Sequence, residues 1–434
     1  MKQIGTTRRG FLSAAASSAA ASWLLGPWLV PARVPAAALG LGDRPAASER
    51  ITLGVIGLGH RNRSNLENFL AQKDVQCVAV CDCFADRRRA GKEMVDRHYG
   101  NAACKPTRLH EELLDRKDID ALLIGTGDRW HSVLSILAAK AGKDVYCEKP
   151  FSLTIAEGRR LVDVTRRYGT VWQCGTQRRS NESYRFVVDL VRGGRIGKLH
   201  TITAILGGWG GNGAAVPEPQ PDPEVFDYDR WLGQAPWAPY SRVRVELWRN
   251  RWDTSAGVIV DMGAHYFDFA QWAHDSERTG PVEYAGTAVW PESGFTQVPF
   301  SVNVEARYAD GVRLRMINGE KGVRFDGDRG WIQLSDEGAI TAEPASVLSD
   351  RFVPRVNWAF MGGHVRSFLD CIRTRKPTAS HPELAQRAHT ICHCANIALR
   401  LGRAVRWDPK TERFVGDDQA NRMLDRPARP PWRV

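Results

Sequence analysis

Ile51-Thr52-Leu53-Gly54-Val55-Ile56-Gly57-Leu58-Gly59 is the stretch on which the fold turns. An apolar run of strand length meets a Gly-x-Gly turn. A helix is predicted to start within residues 61–65 and to bury Leu66, Phe69 and Leu70. Strand, glycine turn and helix together give the signal its meaning. Two glycines let the main chain approach a pyrophosphate, and the amides opening the helix stabilise its charge. Gly57, Gly59, His60, Arg61 and Asn62 are therefore candidate dinucleotide contacts. Asn62 stands where the fingerprint has its third glycine, so looser packing of helix on strand is expected there.

A second strand, residues 75–81, ends at Asp82. A carboxylate at this tip can accept from both ribose hydroxyls and repels a 2′-phosphate, which favours NAD. Three arginines at 87–89 weaken that preference and leave NADP open. Strands at 119–124 and 144–147 alternate with helices at 130–141 and 156–168. Such alternation predicts a parallel sheet with right-handed crossovers and ligands at the strand ends. Thr126 and Gly127, in the turn after the third strand, and Trp130 at the start of the next helix join the candidate cofactor contacts.

The stretch Asp144-Val-Tyr-Cys-Glu-Lys-Pro-Phe-Ser152, following Gly125-Thr-Gly-Asp-Arg-Trp-His131, resembles the Gfo/Idh/MocA family of oxidoreductases. Gly175-Thr-Gln-Arg-Arg-Ser180, Gly193-Gly-Arg-Ile-Gly-Lys198 and Asp261-Met-Gly-Ala-His265-Tyr-Phe-Asp268 continue the likeness in order, so that it covers residues 50–410. The resemblance implies a bound NAD or NADP and a sugar or polyol substrate. It sets Lys149 between nicotinamide and substrate, with Asp261 and His265 as the other catalytic pair. Glu148 then positions Lys149 or the amide, and His131, Gln177 and Arg178 lie near cofactor or substrate.

Physical chemistry agrees with those roles. An ammonium can hydrogen-bond the hydroxyl being oxidised and stabilise alkoxide charge, while an imidazole oriented by a carboxylate can take the proton. At a spacing of four, Asp261 and His265 share a helical face if that turn is wound, so Asp261 is expected to orient His265 or to contact another substrate hydroxyl. Asp268 is expected to orient His265 or to cap local structure. Bound NAD can also serve a redox-neutral cycle resembling that of NAD-dependent glycoside hydrolases. A sugar carbon is oxidised transiently, a glycosidic substituent is eliminated, and the carbon is reduced again. His265 or Tyr266 would then act as the base. The presence of Lys149, Asp261 and His265 together argues against a non-catalytic sugar or dinucleotide sensor.

Beyond residue 172 the sequence changes character. Strand-like runs at 282–290, 301–308, 312–317 and 331–334, joined by turns such as Ala309-Asp310-Gly311, read as mostly antiparallel. With helices at 184–192, 267–273 and 383–401 they predict an α+β domain with a large open sheet. The expected order is a signal and linker over 1–49, an α/β Rossmann domain over 50–172, a substrate and oligomerisation domain over 173–410, and a C-terminal arm over 411–434. The outer face of the large sheet is expected to pair copies into a homo-oligomer. Trp209, Trp231, Trp237, Trp248 and Trp252 fall in one Pro/Gly-rich insertion with Arg242, Arg244 and Arg251. Indole faces stack on pyranose rings, but at least half of these are expected to pack the insertion itself.

The totals exclude other classes. The chain has 434 residues, 43% hydrophobic and 25% charged, which suits two globular domains. Of the formal charge of +11, +4 belongs to the first fifty residues, and no long basic run follows, so no nucleic-acid partner is expected. Nine cysteines occur without a Cys-x-x-Cys pair, which argues against a disulfide framework or zinc ribbon. His389, Cys392, His393 and Cys394 cluster in sequence, but on an Ala/Leu-rich helical stretch they read as buried helix, and no metal is expected.

Thr7-Arg8-Arg9-Gly10-Phe11-Leu12 has the form of a twin-arginine export signal. Apolar residues follow over 14–30, with small residues suited to cleavage near 36–38. Gly26 and Pro27 disfavour a spanning helix, so no stable membrane insertion is expected after signal removal. The expected location is periplasmic or otherwise extracytoplasmic. Free dinucleotide is scarce there, which predicts a tightly held cofactor.

Overall fold

A computed structural model describes residues 39, 44–348 and 362–432; the twin-arginine motif and its cleavage region lie outside the described residues. The described residues before Ile51 belong to a unit of their own, in which Ala47–Glu49 is a single 3-10 turn. From Ile51 onward the chain is one compact unit.

Its first part is a six-stranded parallel sheet: β1 (Ile51–Ile56), β2 (Val75–Cys81), β3 (Lys105–Thr107), β4 (Ala121–Ile124), β5 (Asp144–Cys147) and β6 (Trp172–Cys174). The order is β3-β2-β1-β4-β5-β6. Helices α1 (His60–Leu70), α2 (Ala85–Tyr99), α3 (His110–Asp115), α4 (Asp128–Lys140) and α5 (Ile155–Tyr168) connect the strands. Central β4 is buried along its whole length, as an apolar strand covered on both faces should be. The strand order reverses between β1 and β4, and a crevice opens at the strand ends there. β6 pairs with β5, so the sheet extends past residue 172.

Helix α5 shows how local sequence fixes an element. Thr154 caps it by accepting from the Glu157 amide (3.1 Å), while the Glu157 carboxyl accepts from the Leu153 amide (2.7 Å). Gly169 ends it at φ +64°, in the left-handed region that glycine tolerates.

The second part begins with α6 (Glu182–Arg192) and β7 (Leu199–Ile205). An insertion follows, with short helices α7 (Tyr228–Leu232), α8 (Arg242–Glu246) and α9 (Val258–Asp261), and then α10 (Gly263–Ala273). Six strands come next: β8 (Glu283–Val289), β9 (Ser301–Arg307), β10 (Arg313–Ile317), β11 (Gly322–Gly327), β12 (Gly330–Ser335) and β13 (Ile340–Glu343). The chain ends with α11 (Gly362–Thr374), α12 (Pro382–Leu401), β14 (Val405–Asp408), β15 (Arg413–Phe414) and α13 (Asp418–Arg422). The nine strands are ordered β13-β12-β11-β7-β10-β9-β8-β14-β15, and only β7 and β10 run parallel. The predicted α+β domain with a large, mostly antiparallel sheet is what forms.

One face of this sheet is covered by α6, α10 and α12 around a core containing Phe267, Leu314, Phe325 and Ile391. Strand β9 alternates inward Val302, Val304 and Ala306 with outward Asn303 and Arg307. Helix α11 instead packs on the first sheet, where Val365, Phe368 and Leu369 join Phe69 and Tyr146. His389, Cys392, His393 and Cys394 all lie buried on α12. The His389 imidazole donates to the Ala385 carbonyl (2.8 Å) and accepts from the Phe151 amide (3.3 Å).

Candidate active site

Strand β5 delivers Glu148 and Lys149 to the crevice. His131 donates from Nδ1 to the Pro150 carbonyl (2.6 Å), and the Ser132 hydroxyl donates to that of Phe151 (2.5 Å), so α4 fixes the turn after Lys149. Glu148 is buried and collects donors: Arg61 Nε (3.1 Å), Asn65 Nδ2 (2.8 Å) and Gln177 Nε2 (3.2 Å) at Oε1, and the Lys149 amide (3.1 Å) at Oε2. It positions the Lys149 main chain and ties the first turn of α1 to the end of β5.

The Lys149 ammonium crosses to the second domain. It donates to Asp261 Oδ1 (3.0 Å) and to the Asp261 carbonyl (2.8 Å), with its side chain 16% exposed. Arg249 Nε lies 3.8 Å from the same carboxylate oxygen. Burial, the largest influence on Asp261, pushes its pKa up, but Lys149 and Arg249 outweigh it and hold the carboxyl below its usual range. Winding breaks at Met262, between α9 and α10, and the His265 amide donates to the Met262 carbonyl (3.0 Å). Asp261 therefore orients Lys149 rather than His265, whose Nδ1 has no hydrogen-bond partner. Burial and then the charges of Arg178 and Lys149 push this imidazole well below its usual pKa. The result is a held ammonium beside a neutral imidazole with a free nitrogen.

Two other expectations change. Asp268 is paired through both oxygens with Arg179 (2.7 Å each) and does not orient His265. The Tyr266 hydroxyl donates to Asp336 Oδ1 (3.1 Å) under the Arg178 guanidinium, and burial raises its pKa; this makes it a poor base.

A pocket of about 380 Å3 opens at the glycine turn. Gly57, Gly59, His60, Arg61, Asn62, Asp82, Thr126, Gly127 and Trp130 line it, whereas His131, Glu148, Lys149 and Gln177 are not among its lining residues. The lining suits a dinucleotide. Gly57 has φ +85°, and a Cβ there would come within 2.6 Å of the Gly125 carbonyl. No side chain caps the start of α1. Buried Arg129, which also lines the pocket, leaves its Nη1 without a partner. Asp82 accepts from the Leu58 (2.6 Å) and Phe84 (2.9 Å) amides, which fixes the turn while its carboxylate stays at the pocket edge. Asn62 does not loosen the packing: it is 1% exposed, donates to the Gly57 carbonyl (2.6 Å) and fills the space left by Gly125.

Two family models match the chain. One, described as the NAD-binding Rossmann fold of an oxidoreductase family, matches residues 51–176. The other, the C-terminal alpha/beta domain of the same family, matches residues 203–434, more than half of the chain. The chain belongs to the Gfo/Idh/MocA oxidoreductase family. As a member it is similar to the myo-inositol 2-dehydrogenase of Thermotoga maritima, with 25% identity over 381 residues, 84% of this chain and 99% of that protein. Glycosyl hydrolase family 109 protein 1 of a Shewanella species is 32% identical, but over only 156 residues, 35% of this chain and 34% of that one. The fold is shared with the Lactobacillus plantarum myo-inositol 2-dehydrogenase (TM-score 0.61, 18% identity, 82% of this chain and 99% of the other). It is also shared with the Bordetella pertussis WlbA dehydrogenase, solved with NADH and UDP-GlcNAcA (TM-score 0.63, 16% identity, 83% and 99%).

In this Gfo/Idh/MocA chain, part of the nucleotide wall comes from Arg129, Arg230 and Arg249, which the sequence did not single out, and from the insertion's Trp248. The insertion that supplies most of them folds back over the first sheet. Phe226 stacks on Phe84 (3.9 Å), Asp227 pairs with Arg108 (2.6 Å), Arg230 pairs with Glu111 (2.8 Å), and Arg129 Nε donates to the Trp231 carbonyl (2.8 Å). The C-terminal arm then crosses the insertion. Arg429 bonds Asp229 (2.7 Å) and the Gly233 carbonyl (3.0 Å), and Trp432 meets Trp130 edge-on at 5.2 Å. Of the insertion tryptophans, Trp231 and Trp252 pack the protein itself, while Trp237 is 67% exposed.

Proposed function

We propose that this chain is an exported oxidoreductase that moves hydride between tightly held NAD and a hydroxyl-bearing carbon of a sugar or polyol. The observation that carries the reading is the pair formed across the domains by Lys149 and Asp261, next to the free nitrogen of His265. Gly57, Gly59, Thr126 and Arg129 would hold the dinucleotide, and Asp82 favours NAD over NADP by its charge. When bound, NAD supplies the hydride acceptor or donor. Lys149 donates a hydrogen bond to the substrate hydroxyl and stabilises alkoxide charge. Asp261 keeps the ammonium in place, and neutral His265 accepts the hydroxyl proton at Nδ1. Similarity to inositol dehydrogenases supports a polyol substrate.

Tight retention is supported by the insertion, which lines the nucleotide pocket, and by the C-terminal arm that fastens it, and export by the twin-arginine motif. A second reading, the redox-neutral glycoside cleavage, is favoured by the likeness of about a third of the chain to glycosyl hydrolase family 109 proteins. It uses the same residues, with His265 as the base.

One experiment separates the readings. The purified chain is denatured and the released dinucleotide assayed; native enzyme is then mixed with myo-inositol, glucose, glucuronate or a nitrophenyl glycoside while nicotinamide absorbance is followed in a single turnover. Dinucleotide release and reduction by a free polyol support the first reading. Nitrophenol release at constant absorbance supports the second, and absence of both sinks the proposal.

A further inference from the structure

Two cations that the hydride-transfer scheme does not use, Arg249 and Lys321, reach the reacting pair from separate elements. Arg249 sits in the 3-10 turn Trp248–Asn250 of the insertion, with its Nε 3.8 Å from Asp261 Oδ1. Its guanidinium lies over the Trp248 ring at 4.3 Å, which steadies the head while 49% of the side chain stays exposed. Lys321 is exposed in the turn between β10 and β11. Its stem runs past Gly207, where a Cβ would come within 2.7 Å of Lys321 Cε, so the glycine makes room for it. The Asp336 amide donates to the Lys321 carbonyl (2.9 Å), and the Asp336 carboxylate accepts from the Tyr266 hydroxyl (3.1 Å). This turn is thereby tied to the helix that carries His265.

The other charges here are matched. Glu148 answers Arg61, Asp336 answers Arg178, and Asp261 answers Lys149. Asp128 is 3% exposed and accepts from the Ser255 hydroxyl (2.5 Å). Among the described residues, neither Arg249 nor Lys321 makes a side-chain hydrogen bond. Asp261 is the one carboxylate within ion-pair reach of Arg249, and none, adjacent Glu320 included, is within reach of Lys321. Burial raises the Asp261 carboxyl, and Lys149, Arg249 and Lys321 together draw it down, so both spare cations act on the site. One carboxylate, already held by Lys149, leaves the crevice with a surplus of positive charge. Such a surplus attracts and orients an anion.

We propose, resting on the hydride-transfer reading, that the substrate is an anionic sugar or polyol. Arg249 and Lys321 receive its carboxylate or phosphate while Lys149 bonds the hydroxyl being oxidised. Arg249 offers a planar fork that fits two oxygens of one anion, and Lys321 adds a point charge. The nicotinamide ring has no anionic group to claim them, and the pyrophosphate belongs at the glycine turn.

Glucose, myo-inositol, glucuronate and glucose 6-phosphate are compared as substrates of the full chain with its own cofactor, by single-turnover nicotinamide absorbance. The readout is the ratio of second-order rate constants, anionic over neutral substrate, in which general damage to the site cancels. Glucuronate or glucose 6-phosphate should exceed both neutral compounds at least about tenfold, and the faster of the two tells carboxylate from phosphate. Arg249→Gln and Lys321→Gln should each cut that ratio about five- to thirtyfold, the loss of one charge-assisted contact, and Lys321→Arg should retain it. Dinucleotide released on denaturation is counted in every variant, because Arg249 also lines the nucleotide pocket. A ratio left intact in either Gln variant, whether or not dinucleotide is lost, would overturn the proposal. Neutral compounds turned over as fast as the anions would overturn it too, and would leave hydride transfer standing. Turnover of none of the four would sink the hydride-transfer reading itself, and the substrate class with it.

Discussion

Lys149 donates to both the carboxylate (3.0 Å) and the main-chain carbonyl (2.8 Å) of Asp261, so a side chain from the nucleotide sheet is held by the second domain. Domain register and catalytic geometry are therefore the same contact. Lys149→Ala should lower kcat about 10²–10⁴-fold, the range for a proton-handling group. Asp261→Asn keeps an acceptor but loses the charge. The difference between charged and neutral bonds, about 1–2 kcal/mol, predicts a roughly five- to thirtyfold fall. Steady-state rates on the best polyol decide; equal losses for both variants would show that Asp261 does more than hold Lys149.

His265 sets the acid limb of the rate profile. Burial and the nearby Arg178 and Lys149 charges depress its pKa well below 6.5, so the imidazole stays neutral and ready to accept a proton. The profile of kcat against pH should stay flat as pH falls through 6.5 and drop only below it. His265→Gln should lose about 10²-fold or more in rate and abolish that limb. A limb centred at the ordinary imidazole value in the parent enzyme would contradict the role.

The sequence made some of this site readable and hid the rest for a physical reason. Gly57, Gly59 and Asp82 act within one strand–turn–helix and its neighbour, where composition and spacing are sufficient. Lys149 and Asp261 were recognisable only by resemblance, since 112 residues separate them. The Asp261–His265 spacing misled because helical periodicity assumes continuous winding, and the chain breaks at Met262. Asn62 misled in the opposite sense: its side chain bonds Gly57 and takes the volume that Gly125 gives up, a compensation between elements 63 residues apart. Arg129 was silent because its partner, the Trp231 carbonyl, lies in the insertion. Strands β7 and β11 escaped because their flanking glycines and charged residues blur the alternation that marked β9.

Cofactor retention should depend on the C-terminal arm. Trp432 packs on Trp130 and His110, and Arg429 fastens the insertion that roofs the nucleotide pocket. Arg429→Ala with Trp432→Ala removes an aromatic contact of about 0.5–1.5 kcal/mol and an exposed ion pair of at most about 1 kcal/mol. NAD release should accelerate roughly three- to thirtyfold. Stopped-flow displacement of bound NAD by excess free nucleotide measures it, with kcat on a saturating substrate as control. An unchanged release rate would mean that the arm holds the insertion without bearing on the nucleotide.

Stability should fall in mild acid, and two histidines identify why. His364 donates to the Cys174 carbonyl (3.0 Å) and accepts from the Ser180 hydroxyl (2.7 Å); His389 is bonded between Ala385 and Phe151. Both are fully buried, and burial pushes each pKa from 6.5 down to about 4. Between those values the unfolded chain binds more protons than the folded one, so unfolding free energy rises with pH. The stabilisation is complete above 6.5 and drains away as pH falls through 4, by an amount on the order of 3 kcal/mol per histidine. His389→Gln cannot take up that proton. It should be less stable than the parent at pH 7, with the gap narrowing steadily toward pH 4. Urea unfolding at intervals across this range tests it, and parallel curves for parent and variant would show that His389 does not drive the acid loss.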